Sequence, residues 1–82
     1  MKQYYIFHAV MPSFTEEPVQ ERKYVGSVCA ESLEDAYQKS QNFDRHWNKY
    51  APCRSTSVGD VIQEDDVDYV VAGVGFNAII QL

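Results

Sequence analysis

The chain has 82 residues, 45% of them apolar, and 12 acidic against 7 basic side chains give it a net charge of −5. That length holds one domain, and the apolar content is too high for a disordered chain. The lack of a basic stripe argues against direct binding to a nucleic-acid backbone, and no apolar run nears the ~18 residues that span a bilayer.

Residues 4–11 are apolar on both faces apart from His8 and read as a strand covered on both sides, central in a sheet. A polar loop with Pro12 and Pro18 follows, and residues 19–30 read as a second strand. Its alternation puts Tyr24, Val28 and Ala30 on one parity, with Gly26 among them, and Val25 and Cys29 on the other.

The clearest element comes next. Ser32 suits a helix N-cap, Glu34 and Asp35 suit the positive first turn, and Arg45, His46 and Lys49 suit the negative end. Leu33, Ala36, Tyr37, Ser40, Phe43 and Trp47 form a stripe at three- and four-residue intervals, which predicts a helix over 33–49. Strands are expected at 59–63, 67–72 and 76–80, with an acidic turn at Glu64-Asp65-Asp66 and a glycine bend at Gly73-Val74-Gly75. The order β-β-α-β-β-β predicts a single small α+β domain with one helix packed on a mainly antiparallel sheet. Its edge, either the polar second strand or the short last one, could pair with a partner or support a homodimer.

Few residues suggest chemistry. Cys29, Cys53, His8 and His46 stand apart, so no pair has zinc-ligand spacing, and neither a metal nor a cofactor is expected. Two cysteines without a CxxC read as reduced thiols of a cytoplasmic protein, and the opening MKQYYIFHAV lacks the pattern of a leader. Cys53 with His46 could be drawn as a nucleophile and its base. Tyr4, Phe7, Tyr24 and Tyr69 could form a stacking platform, but core packing explains them without the basic groove such platforms need.

The segment CRSTSVGDVI is the most patterned stretch. Hydroxyls before a strand cap backbone groups, and Gly59-Asp60 supplies turn geometry. Arg54 is the only cation after Lys49, facing Asp60, Glu64, Asp65, Asp66 and Asp68. It could pair internally with one of these acids or clamp an acidic group of a partner.

RSTSVGDVI and the later YVVAGVGFNAI resemble the signature of the YodL-like family, small domains met in bacteria, phages and mobile elements, without a settled activity. The match spans residues 54–80, and Arg54, Ser55, Ser57, Gly59 and Asp60 carry it. The resemblance implies a cytoplasmic accessory protein and supplies no catalytic residue.

The expected function is therefore a non-enzymatic protein-interaction domain of phage or mobile-element type. Its contact surface is expected at a sheet edge and the Arg54–Asp60 corner, with Arg54, Ser55, Ser57, Asp60 and Trp47 as binding residues and an unidentified protein as partner. Two alternatives stand beside it. One is an acidic mimic that occupies a DNA-binding or defence protein. The other is a small-molecule enzyme built on Cys53 and His46, or on Arg54 and Asp60.

Overall fold

A computed structural model describes residues 1–10, 20–42, 47–50 and 52–79. It contains β1 (Lys2–Ala9), β2 (Arg22–Ala30), α1 (Leu33–Lys39), β3 (Asn48–Lys49), β4 (Val61–Glu64), β5 (Val67–Val71) and β6 (Phe76–Ala78). The strands form one sheet in the order β3-β2-β1-β4-β5-β6, and every neighbouring pair is antiparallel. This is the expected α+β domain, one helix on an antiparallel sheet, with one strand more than expected.

β1 is central, as its two-sided apolarity predicts. Tyr4, Ile6 and His8 point to the helix side and are buried, and Val28, Ala30, Ile62 and Val71 join them around Ala36 of α1. Tyr4 is fully buried, and its hydroxyl donates to Glu64 Oε2 at 2.6 Å. Burial and the carboxylate together push the Tyr4 phenol up to about 12.

The parity expected for β2 fails at one place. Ile6 pairs with Gly26 but Phe7 pairs with Tyr24, so Val25 is an extra residue in a β-bulge. The bulge sends Val25 into the core and turns Tyr24 to the opposite face, beside Phe7. A one-residue slip in a period-2 element exchanges its faces, and alternation alone does not reveal where the slip falls.

α1 begins as predicted. Ser32 Oγ accepts the Asp35 N–H at 3.1 Å, and Asp35 Oδ2 accepts the Glu31 N–H at 3.0 Å. It ends ten residues earlier than the stripe suggests, at Lys39 instead of Lys49. Ser40, buried, donates its hydroxyl to Tyr37 O, and Gln41 Nε2 donates to the same carbonyl at 2.9 Å. Side chains thus take a carbonyl that a continuing helix would use. Phe43, Arg45 and His46, placed on the helix by the sequence, lie outside the described residues.

Trp47 is therefore not on the helix. It precedes β3, is 8% exposed, and packs its ring 5.9 Å from that of His8. Its indole lies against Gly26: a Cβ there would stand 2.8 Å from Trp47 Nε1 and 2.6 Å from the Asn48 carbonyl oxygen. Both contacts are too close for carbon, and one is to backbone. Gly26→Ala should cost about 1–3 kcal/mol, with the urea midpoint reporting it.

β3 pairs Asn48 with Ser27 and Lys49 with Gly26, so it covers β2, one of the two edges expected from sequence, at those two residues. Among the described residues the outermost strands are β3 and the short last strand β6.

Candidate functional site

The turn that leads into β4 explains the regularity of CRSTSVGDVI. The Asp60 N–H donates to Ser57 O at 3.1 Å, and Gly59 between them has φ 95°, the left-handed region where a side chain is strained. This closes a tight turn and aims the Asp60 carboxylate inward, where it has no solvent exposure.

Buried carboxylates are costly unless charge and hydrogen bonds surround them. Asp60 has both. Arg54 holds it with two nearly parallel bonds, Nη1 to Oδ2 at 2.6 Å and Nη2 to Oδ1 at 2.8 Å. The backbone N–H groups of Ala9 and Ser57 donate to it at 2.9 and 2.8 Å. Burial alone would raise the carboxyl, but the Arg54 bonds and the two backbone donors outweigh it and hold Asp60 below the usual carboxylate range.

The rest of the motif is also occupied. Arg54 Nη1 further donates to Ser55 O and to Ser57 Oγ. Ser55 Oγ accepts the Asn42 N–H at 2.8 Å, just past the helix end. Thr56, buried, donates its N–H to Ser40 O and accepts Gln41 Nε2 at its carbonyl. The motif ties the end of α1, the end of β1 and the start of β4 into one polar knot. Of the binding residues expected from sequence, Arg54, Ser55, Ser57 and Asp60 come together here, all bonded within the chain. Trp47 lies on the other side of His8, in the core.

His8 completes the knot. Its Nε2 lies 3.0 Å from Thr56 Oγ1 and 3.8 Å from Asp60 Oδ2. Desolvation dominates here and pushes the imidazole down to about 4, against the pull of Asp60. The three residue types of a hydrolase triad are thus close together, but their arrangement is wrong for catalysis. A relay needs the carboxylate on one ring nitrogen and the hydroxyl on the other. Here both approach Nε2, and Thr56 is 1% exposed, beyond reach of a substrate.

Cys53 is half-buried, and burial pushes its thiol up, the opposite of an activated nucleophile. The base drawn for it, His46, lies outside the described residues.

Several acids of the C-terminal third, on which the acidic-mimic alternative rests, are engaged in the fold. Asp60 is buried, Asp65 pairs with Lys2 at 3.2 Å, Glu64 accepts the Tyr4 hydroxyl, and Asp68 accepts Gln63 Nε2 at 2.9 Å.

What sequence reasoning missed lies on the sheet face away from α1. Tyr24 sits between Phe7 and Tyr50, at ring-centre distances of 5.7 and 6.2 Å, and Tyr5 stands 6.4 Å away. Tyr5, Tyr24 and Tyr50 are 38%, 42% and 80% exposed. Comparison with family models, curated proteins and solved structures finds no match. Two of the four aromatics named for a platform, Phe7 and Tyr24, belong to this stripe, while Tyr4 lies in the core on the other face. The bulge that turns Tyr24 outward and the early helix end that frees Tyr50 together create the stripe.

Proposed function

We propose that this chain is a non-enzymatic protein-interaction domain, and that its contact surface is the Tyr5–Phe7–Tyr24–Tyr50 stripe. The observation that carries the reading is the exposure of three neighbouring tyrosines on one sheet face of a small domain. Tyrosine offers large, stiff contact area at low entropic cost and is enriched in interfaces. The Arg54–Asp60 corner, the first choice from sequence, has its guanidinium bonded within the chain, which favours the tyrosine stripe over it.

The phage or mobile-element setting and the cytoplasmic location belong to the same proposal and rest on the resemblance of residues 54–80 to the YodL-like signature. Among the described residues no helix is long and apolar enough to cross a membrane.

The test is affinity capture from a host lysate with the full chain and with a Tyr24→Ser, Tyr50→Ser double variant. Val74→Ser serves as the surface control, since Val74 is 95% exposed and outside the stripe. At least one protein should be enriched by wild type and by the control and lost from the double variant. An identical set captured by all three chains, or no enrichment above bare resin, would overturn the proposal.

A further inference from the structure

Beside the stripe lies an apolar cavity of ≈ 170 Å³, lined among the described residues by Lys23, Tyr24, Val25, Tyr50, Pro52 and Cys53. A dry apolar cavity of about 150 Å³ holds a benzene ring, so this one has room for a single side chain. Its position on the sheet is informative. β3 pairs only Gly26 and Ser27 of β2, and the Tyr50 N–H adds one bond to Val25 O at 2.8 Å. Continuing that register would set Lys23 against Pro52, which has no N–H to give. The ladder therefore stops, and among the described residues no strand lies beside Lys23 and Tyr24 on that edge. The cavity walls come from both sides of the sheet: Tyr24 and Tyr50 from the stripe, Val25 and Cys53 from the core side. An opening that straddles a strand edge in this way suits an extended chain, whose alternate side chains go to opposite faces.

Charge narrows the choice of chain. Lys23 lines the cavity, and Lys49 lies next to Tyr50 with its ammonium 5.1 Å from the Trp47 ring centre. Neither lysine has a carboxylate partner among the described residues, whereas Lys2, Lys39 and Arg54 each have one. Lys49, Arg54 and Lys23 all act to lower the Cys53 thiol, against burial and the Asp60 carboxylate, which raise it. On a chain of net charge −5, the described residues around this cavity thus bring two lysines together.

We propose that the cavity and the adjoining β2 edge bind an extended acidic segment of a partner protein. One apolar side chain fills the cavity, and flanking carboxylates meet Lys23 and Lys49. This rests on the reading of the tyrosine stripe as a contact face and adds the chemistry of what it contacts.

The two cysteines provide the measurement. Cys53 lines the cavity, and Cys29, exposed and paired with Gln3 at the other end of β2, serves as internal reference. The full chain is alkylated with iodoacetamide in the presence of an oligothymidylate or of one of three blocked pentapeptides, and each cysteine is followed by mass spectrometry. All three peptides have a central leucine, flanked by Asp and Glu, by Lys, or by Ser and Gln. The acidic peptide should slow Cys53 roughly fivefold when present at about four times its dissociation constant, and leave Cys29 unchanged. The lysine and neutral peptides should do neither. Added salt should weaken the protection, and Lys23→Glu with Lys49→Glu should remove it while the far-ultraviolet spectrum stays that of wild type. Equal protection by the neutral peptide, stronger protection by an oligothymidylate, or none by any probe would overturn the acidic-segment proposal. Capture that still depends on Tyr24 and Tyr50 would then leave the broader interaction reading standing. Loss of that dependence is the separate failure of the broader reading.

Discussion

Asp60→Ala should destabilise the domain by about 3–5 kcal/mol, the range for removing one partner of a buried ion pair. Two effects add. The Arg54 guanidinium loses both oxygens of its bidentate partner, and the N–H groups of Ala9 and Ser57 lose their acceptor next to a side chain that had no exposure. A buried donor left unpaired costs about 1–3 kcal/mol by itself. A chain of this length has a total stability of about 4–12 kcal/mol, so the variant stands near the threshold of unfolding at 25 °C. Urea titration followed by tryptophan fluorescence measures it, since Trp47 lies in the core next to His8. Asp60→Asn should cost less, because one amide oxygen still accepts a backbone N–H.

Acid should weaken the fold well before most carboxylates titrate. The unfolded chain takes up a proton on His8 below its ordinary value of 6.5, whereas the buried ring in the native state resists protonation until about 4. Between those values the unfolded state binds more protons. The stability associated with His8 is therefore complete above pH 6.5 and falls as the pH drops towards 4, by about 3 kcal/mol over the window. Asp60 acts lower. Its native carboxyl lies below 3.8, so its contribution is intact above that pH and is lost as the pH falls through the lowered value. Urea midpoints at half-unit steps from pH 7 to 4 should trace the His8 slope. His8→Gln, whose amide nitrogen reaches the position of Nε2 and can keep a bond to Thr56 Oγ1, should flatten it. A slope unchanged in that variant would assign the acid sensitivity to other groups.

Local signals in the sequence were sound where one element decides the outcome. Ser32 and Asp35 cap α1 as their spacing implies, and Gly59-Asp60 forms the turn expected of it. The two-sided apolarity of β1 reflects a central strand whose Ile6 and His8 are buried. The failures have non-local causes. The stripe from Leu33 to Trp47 keeps helical spacing, yet α1 stops at Lys39 because Ser40 and Gln41 bond back to Tyr37 and the 53–57 segment docks there. Trp47 is apolar because it fills the core against Gly26, a role that spacing cannot tell from a helix face. Tyr24 looked like a core residue because a bulge leaves no mark in an alternating pattern. Arg54 raised the right question, internal pairing or external clamp. Its answer needed the distance to Asp60, which the sequence places only six residues away, with no statement of geometry.

Two groups of residues stand apart: an Arg54 centre bonded within the fold, and an exposed tyrosine stripe proposed as the contact face. Urea unfolding of Arg54→Ala and Tyr50→Ser side by side at pH 7 tests this division most directly. The predicted result is a loss of about 3–5 kcal/mol for Arg54→Ala, which leaves the fully buried Asp60 carboxylate without its counter-charge. Tyr50→Ser should stay within about 0.5 kcal/mol of wild type, as exposed substitutions do. Wild-type stability in Arg54→Ala, together with a large loss in Tyr50→Ser, would contradict it.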